Sequence, residues 1–172
     1  MDKSKNPAVG AKEARGRKTS YKDRLFSFVP IYTTRLVREG EVPYDERTGL
    51  SSPGDTAAVV MDYFLDKDRE EFLVLLLSTS GKLIGIVQAS VGGLAASIVE
   101  PRQVFKAAIL ANAASVIVVH NHPSGNPEPS REDIRITRQL VEAGKLMGVP
   151  VLDHVIIAEQ RFTSLAERGL LA

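Results

Sequence analysis

Four short apolar runs separated by stretches of helical periodicity constrain this chain more than any other feature. They are EFLVLLL at 71–77, LIGIVQA at 83–89, SVIVV at 115–119 and PVLDHVIIA at 150–158. The first and third lack polar alternation, so they fit strands buried on both faces, a situation that requires helices on either side of a sheet. Thr79-Ser80-Gly81-Lys82 is turn chemistry and joins the first two runs as a hairpin.

The intervening segments supply the helices. Asp55 can cap a helix whose apolar positions Ala58, Val59, Tyr63 and Phe64 recur at helical spacing. Pro101 stands where a second helix begins, with Val104, Phe105, Ala108 and Ile109 on one face. Ser130 opens a long helix reaching about Met147, its core stripe being Ile136, Leu140, Ala143 and Met147. A further strand is expected over Leu25 to Val37 and a short last helix around Ser164 to Gly169. The order β, α, β, β, α, β, α, β, α predicts an α/β layered sandwich: a mixed β-sheet with a central hairpin, flanked by helices.

Charge divides the chain unevenly. Residues 1–25 hold eight Lys or Arg against Asp2, Glu13 and Asp23, and show no apolar periodicity. We therefore expect residues 1–24 to be a flexible basic arm and residues 25–172 a single domain, the amount of core that 172 residues usually build. Such an arm can attract nucleic acid through phosphate charge, but without interleaved aromatics that signal is weak. No apolar stretch approaches the ~18 to 20 residues that span a bilayer, and MDKSKNPAVG lacks the hydrophobic region of a secretory signal. A cytoplasmic protein with no membrane partner is expected.

Cysteine is absent and histidine occurs three times, so any metal must be held by His, Asp or Glu. His120 and His122 lie two apart at a strand end and project to the same side. Ser130 and Asp133, at i and i+3 in a first helical turn, also share a face. Pro and Gly in HPSGNPEP turn the chain between them. Two imidazoles and one carboxylate make a three-ligand zinc site that keeps a fourth position for water. Ser130-x-x-Asp133 also fits a helix capping pattern that needs no metal. Against that, Asp133 begins the stripe of Ile136 and Leu140, and a carboxylate aimed inward needs a partner. His154, in an apolar strand, reads as a satisfied core histidine, and Gly92-Gly93 as a bend or bulge.

The stretch HNHPSGNPEPSRED resembles the JAMM, or MPN-plus, metalloprotease motif, specifically its bacterial RadC-like JAB-domain branch. The resemblance runs from about Arg69 to Leu171 and includes EPRQVFK at 100–106, Leu140 to Leu146, Leu152-Asp153-His154 and AERGLL at 166–171. It implies a JAB/MPN-like fold with zinc as cofactor, His120, His122 and Asp133 as its ligands, Ser130 as the active-site serine and an upstream glutamate as general acid/base. Glu70 and Glu71 both stand at the entrance of the first buried strand, where neighbours point oppositely. The Arg-Glu-x-Phe pattern of RadC-like chains selects Glu70. The function implied is hydrolysis of a peptide or isopeptide-like amide in a peptide or protein substrate. The alternative is a DNA-repair-associated or nucleic-acid-associated accessory protein whose zinc is structural or vestigial. Members of this branch usually carry a helix-hairpin-helix-like region ahead of the JAB domain, and residues 1–68 do not resemble it. His120-Asn121-His122 is also unrelated to the HNH nucleases, whose residues are spread over a hairpin and helix.

Overall fold

The computed structural model describes residues 30–44, 49–91 and 99–172. The chain divides into residues 1–33 and 34–172, and every helix and strand among the described residues belongs to the second unit. The expected arm at 1–24 and the Gly92-Gly93 bend lie outside the described residues.

Eight elements succeed one another: α1 (Pro53–Phe64), β1 (Glu71–Leu77), β2 (Leu83–Val91), α2 (Pro101–Leu110), β3 (Ser115–Asn121), α3 (Arg131–Met147), β4 (Val151–Ala158) and β5 (Arg161–Ser164). The strands form one sheet in the order β2-β1-β3-β4-β5, with β3 and β4 parallel and the other pairs antiparallel. The α/β class and the mixed sheet are as expected. The β1–β2 hairpin, however, lies to one side: β2 is the edge strand and β3 holds the centre. Spatial order depends on which faces the helices cover, a long-range matter that turn chemistry does not encode.

Side-chain parity along β1 sorts the core into two layers. Phe72, Val74 and Leu76 pack with Val116 and Val118 of β3 against Val104, Phe105 and Ala108 of α2 and Ile136 and Leu140 of α3. Leu73, Leu75 and Leu77 turn to the other face, where Ala57, Val60 and Phe64 of α1 meet Ile117, Val119, Val155 and Ile157. All seven residues of β1 and of β3 are buried, as helices on both faces demand. Gly144 lets α3 come close at its C-terminal end: a Cβ there would stand 2.6 Å from the Val149 carbonyl and 3.2 Å from the Phe105 ring.

Several local expectations need correction. Residues 30–44 form no strand, so the described part of the expected Leu25–Val37 segment remains irregular. β-favouring side chains make a strand only where a partner edge accepts them. Ser52, not Asp55, caps α1; Asp55 is the reciprocal member of the capping box, its carboxylate accepting from Ser52 N at 2.8 Å. The buried face is Thr56, Ala57, Val60 and Phe64, with Ala58 exposed and Val59 and Tyr63 only partly buried. Ile109 and Met147 are exposed, and Gly144 rather than Met147 completes the α3 stripe. Residues 164–169 form no helix: β5 pairs with β4 after a tight turn at Glu159-Gln160, and a turn comes after it. Among the described residues no helix is long and apolar enough to cross a membrane.

Candidate metal centre

His120 ends the inward run Val116, Val118, His120 of β3, facing Phe72 across the β1 pairing. The parity that buries Val118 against α3 therefore buries His120 there too, and its relative exposure is 0%. His122 follows on the same side, partly buried. Helix α3 meets them with its first turn, where Asp133 is also 0% exposed. His120, His122 and Asp133 bring one ligand atom each to within 4.8 Å of one another, a group that could hold a metal ion. His120 Nε2 lies 2.9 Å from His122 Nε2 and 3.2 Å from Asp133 Oδ1, and His122 Nε2 lies 3.5 Å from Asp133 Oδ2.

Capping engages Oδ2 of Asp133 and leaves Oδ1 free to face the imidazoles. Oδ2 accepts from Ser130 N at 2.6 Å, and Ser130 Oγ accepts from Asp133 N at 3.1 Å, a complete capping box. Oδ1 is buried with no hydrogen-bond partner. A buried carboxylate oxygen without a donor is costly, and this one sits beside two imidazole nitrogens. His122 Nδ1 stands 2.7 Å from the Asn126 carbonyl, which can only accept, so this nitrogen carries the hydrogen and Nε2 presents its lone pair. A lone pair on an imidazole and an orphan carboxylate oxygen converging on one point suit a cation, so these residues fit a zinc ion.

Titration behaviour agrees with that arrangement. Burial would push the Asp133 carboxyl up, but the two imidazoles and Ser130 outweigh it and hold the group well below the usual carboxylate range. Asp133 raises the His122 imidazole above its ordinary value, against partial burial. Burial lowers His120, outweighing Asp133, and it lowers His154 strongly, helped by His120. The cluster thus combines a firm carboxylate with one ring that takes a proton more readily, His122, and two fully buried rings that resist protonation, His120 and His154.

Parity also separates Glu70 from Glu71. Glu71 continues Leu73 and Leu75 toward α1, where Tyr63 Oη donates to its Oε2 at 2.7 Å, Lys67 pairs with Oε1 at 3.0 Å and Gln88 Nε2 donates to Oε2. Burial would raise its carboxyl, but those partners outweigh it and lower it. Glu70 has the parity of Phe72, and its charge acts on both His120 and His122. Ser130, exposed at the cap of α3, stands next to the cluster through Asp133.

Sequence reasoning missed several supporting groups. Asn121 Oδ1 accepts from Glu71 N at 2.7 Å and its Nδ2 donates to the Arg69 carbonyl at 3.0 Å, gripping the backbone on either side of Glu70. Its place between two histidines on the opposite side of β3 was the available signal. Arg168 binds Glu128 through both terminal nitrogens, at 2.6 and 2.8 Å, and Arg161 donates to the Gly125 carbonyl, so the tail pins the loop after His122. Gly125 has φ 76°, and a Cβ would meet Glu159 Oε1 at 2.9 Å. His154 is fully buried with its Nε2 at 2.8 Å from His120 Nδ1, a core histidine with partners.

Known proteins provide an independent comparison. The chain is 56% identical over 133 residues to a UPF0758 protein of Salinibacter ruber, covering 77% of this chain and 57% of that protein. Identity to the UPF0758 protein of Desulforamulus reducens is 48% over 134 residues, covering 78% and 59%, and to that of Methanosarcina acetivorans 48% over 122 residues, covering 71% and 53%. The chain thus spans a little over half the length of these curated relatives. The profile of the RadC-like JAB domain matches residues 50–170, so the likeness reaches α1, upstream of the Arg69 boundary expected from motifs. The chain belongs to the RadC-like JAB domain family.

Proposed function

We propose that this domain is a zinc-dependent hydrolase of the JAMM type, a metalloprotease that cleaves a peptide or isopeptide-like amide. The observation that carries this reading is the buried, unpartnered Oδ1 of Asp133 beside the Nε2 atoms of His120 and His122, with Glu70 near enough for its charge to act on both imidazoles.

His120, His122 and Asp133 would hold the ion through three ligand atoms, leaving one tetrahedral position open. When bound, zinc supplies a Lewis acid that polarises water and a scissile carbonyl. Glu70 accepts the proton that water gives up on attack and passes it to the departing amine, which cannot leave as an anion. Ser130 Oγ already accepts from Asp133 N, so its hydroxyl hydrogen is available to the oxyanion developing on the substrate. The Asn121 grip on Arg69 and Glu71 keeps the Glu70 backbone from drifting while its side chain handles protons.

The test is zinc-loaded protein incubated with a peptide and isopeptide library and read by mass spectrometry. We expect cleavage that stops on chelation and returns on adding zinc. A protein that binds zinc yet cleaves nothing in the library would favour an accessory role in which the metal is structural.

A further inference from the structure

We infer that Thr137 and His154 form a hydrogen-bond rail that fixes His120 as its Nδ1–H tautomer and thereby presents the Nε2 lone pair to the metal. The purpose of the rail rests on the proposed metal site; the tautomer it imposes does not.

The rail starts at a group that cannot donate. Thr137 Oγ1 lies 2.6 Å from the main-chain carbonyl of Asp133, so the single hydroxyl hydrogen of Thr137 is committed to that oxygen. Thr137 Oγ1 can then only accept from His154 Nδ1, 2.5 Å away, which places the hydrogen of His154 on Nδ1. Both His154 and His120 are 0% exposed, and a cationic ring in that position would be expensive. The neutral His154 ring therefore offers Nε2 as an acceptor. His120 Nδ1, 2.8 Å from it, must supply the hydrogen. The proton order is thus His120 to His154 to Thr137 to the Asp133 carbonyl, and His120 Nε2 is left bare beside Asp133 Oδ1.

The rail begins and ends at the cluster, since the residue whose side chain carries the orphan oxygen also anchors it through its backbone. Phe72 lies parallel to His120, with ring centroids 6.0 Å apart, and edge-on to His154 at 5.5 Å, shielding the rail from water on the β1 side. Metal-bound histidines commonly depend on such an outer partner for orientation and basicity, and its removal typically costs ~10- to 100-fold in metal affinity.

Two measurements test the rail. Long-range nitrogen–proton correlation spectra of the metal-free, ¹⁵N-histidine-labelled chain should show His120 protonated on Nδ1 and bare at Nε2. Thr137→Val removes the acceptor for His154 Nδ1 and should lower zinc affinity, measured by chelator competition, by ~10- to 100-fold, whereas Thr137→Ser should restore it. An Nε2–H tautomer in the wild type would overturn the inference, as would equal zinc affinity in wild type and Thr137→Val. A wild type that binds no zinc would instead remove the proposed function, and the spectra of that same metal-free chain would still decide the tautomer.

Discussion

Glu70→Gln is expected to keep the fold and the zinc yet to lower kcat for amide hydrolysis at least ~100-fold, the scale of a lost general base. Glutamine preserves size and an acceptor oxygen but cannot take a proton from water. Glu71→Gln is expected to show the reverse pattern, because its carboxylate faces α1 and receives Tyr63, Lys67 and Gln88. An amide there loses the charge opposite Lys67 and turns an NH₂ toward donors, which should cost ~1 to 3 kcal/mol. Urea unfolding and steady-state kinetics on both variants separate the roles. Turnover lost in Glu71→Gln and kept in Glu70→Gln would place the wrong glutamate on the metal side.

Asp133→Asn should lower zinc affinity by at least ~100-fold while retaining the helix cap, since the amide oxygen can still accept from Ser130 N. The same variant should change the pH dependence of binding. In the wild type Asp133 raises the folded-state His122 value, so in the metal-free chain protonated His122 contributes stability that is full below the ordinary value of ~6.5. That stability is lost as pH rises through the raised value. Zinc competes with this proton, so zinc affinity rises by about tenfold per pH unit below the raised value, for one displaced proton, and levels off in the window where pH passes through it. Without the carboxylate the window moves down, which chelator competition across a pH series would reveal. An unmoved window in Asp133→Asn would mean that the carboxylate does not act on His122.

Much of the site was legible because it is built from short-range order. His120 and His122 share a side by strand alternation, and Ser130 and Asp133 share a turn, so spacing alone assembled each pair. The loop between them advertised its bend in Pro and Gly. What sequence could not convey was that the cap uses Oδ2 of Asp133 and leaves Oδ1 buried beside the imidazoles, so that the capping reading holds without excluding the proposed ligand role. The proposed role of Glu70 rested on pattern likeness in the sequence; the structure adds that Glu71 is engaged by Tyr63, Lys67 and Gln88, which favours Glu70 as the glutamate of the metal side. Misplacements gathered where tertiary partners decide. β5 formed because β4 offered it an edge, and β2 took the sheet margin, whereas the Ser52 cap is a local capping box that the Ser-x-x-Asp spacing already carried. The rail through His154 and Thr137 crosses from β4 to α3, seventeen residues apart, and no local periodicity could have joined them.

Elemental analysis of the wild-type chain, purified without a histidine tag and set beside its His122→Ala variant, tests the central claim most directly. About one zinc per chain is expected in the wild type, as a single three-ligand site would hold, and a small fraction of that in His122→Ala. No metal in the wild type, or an unchanged metal content in His122→Ala, would contradict the assignment of His120, His122 and Asp133 as the zinc ligands.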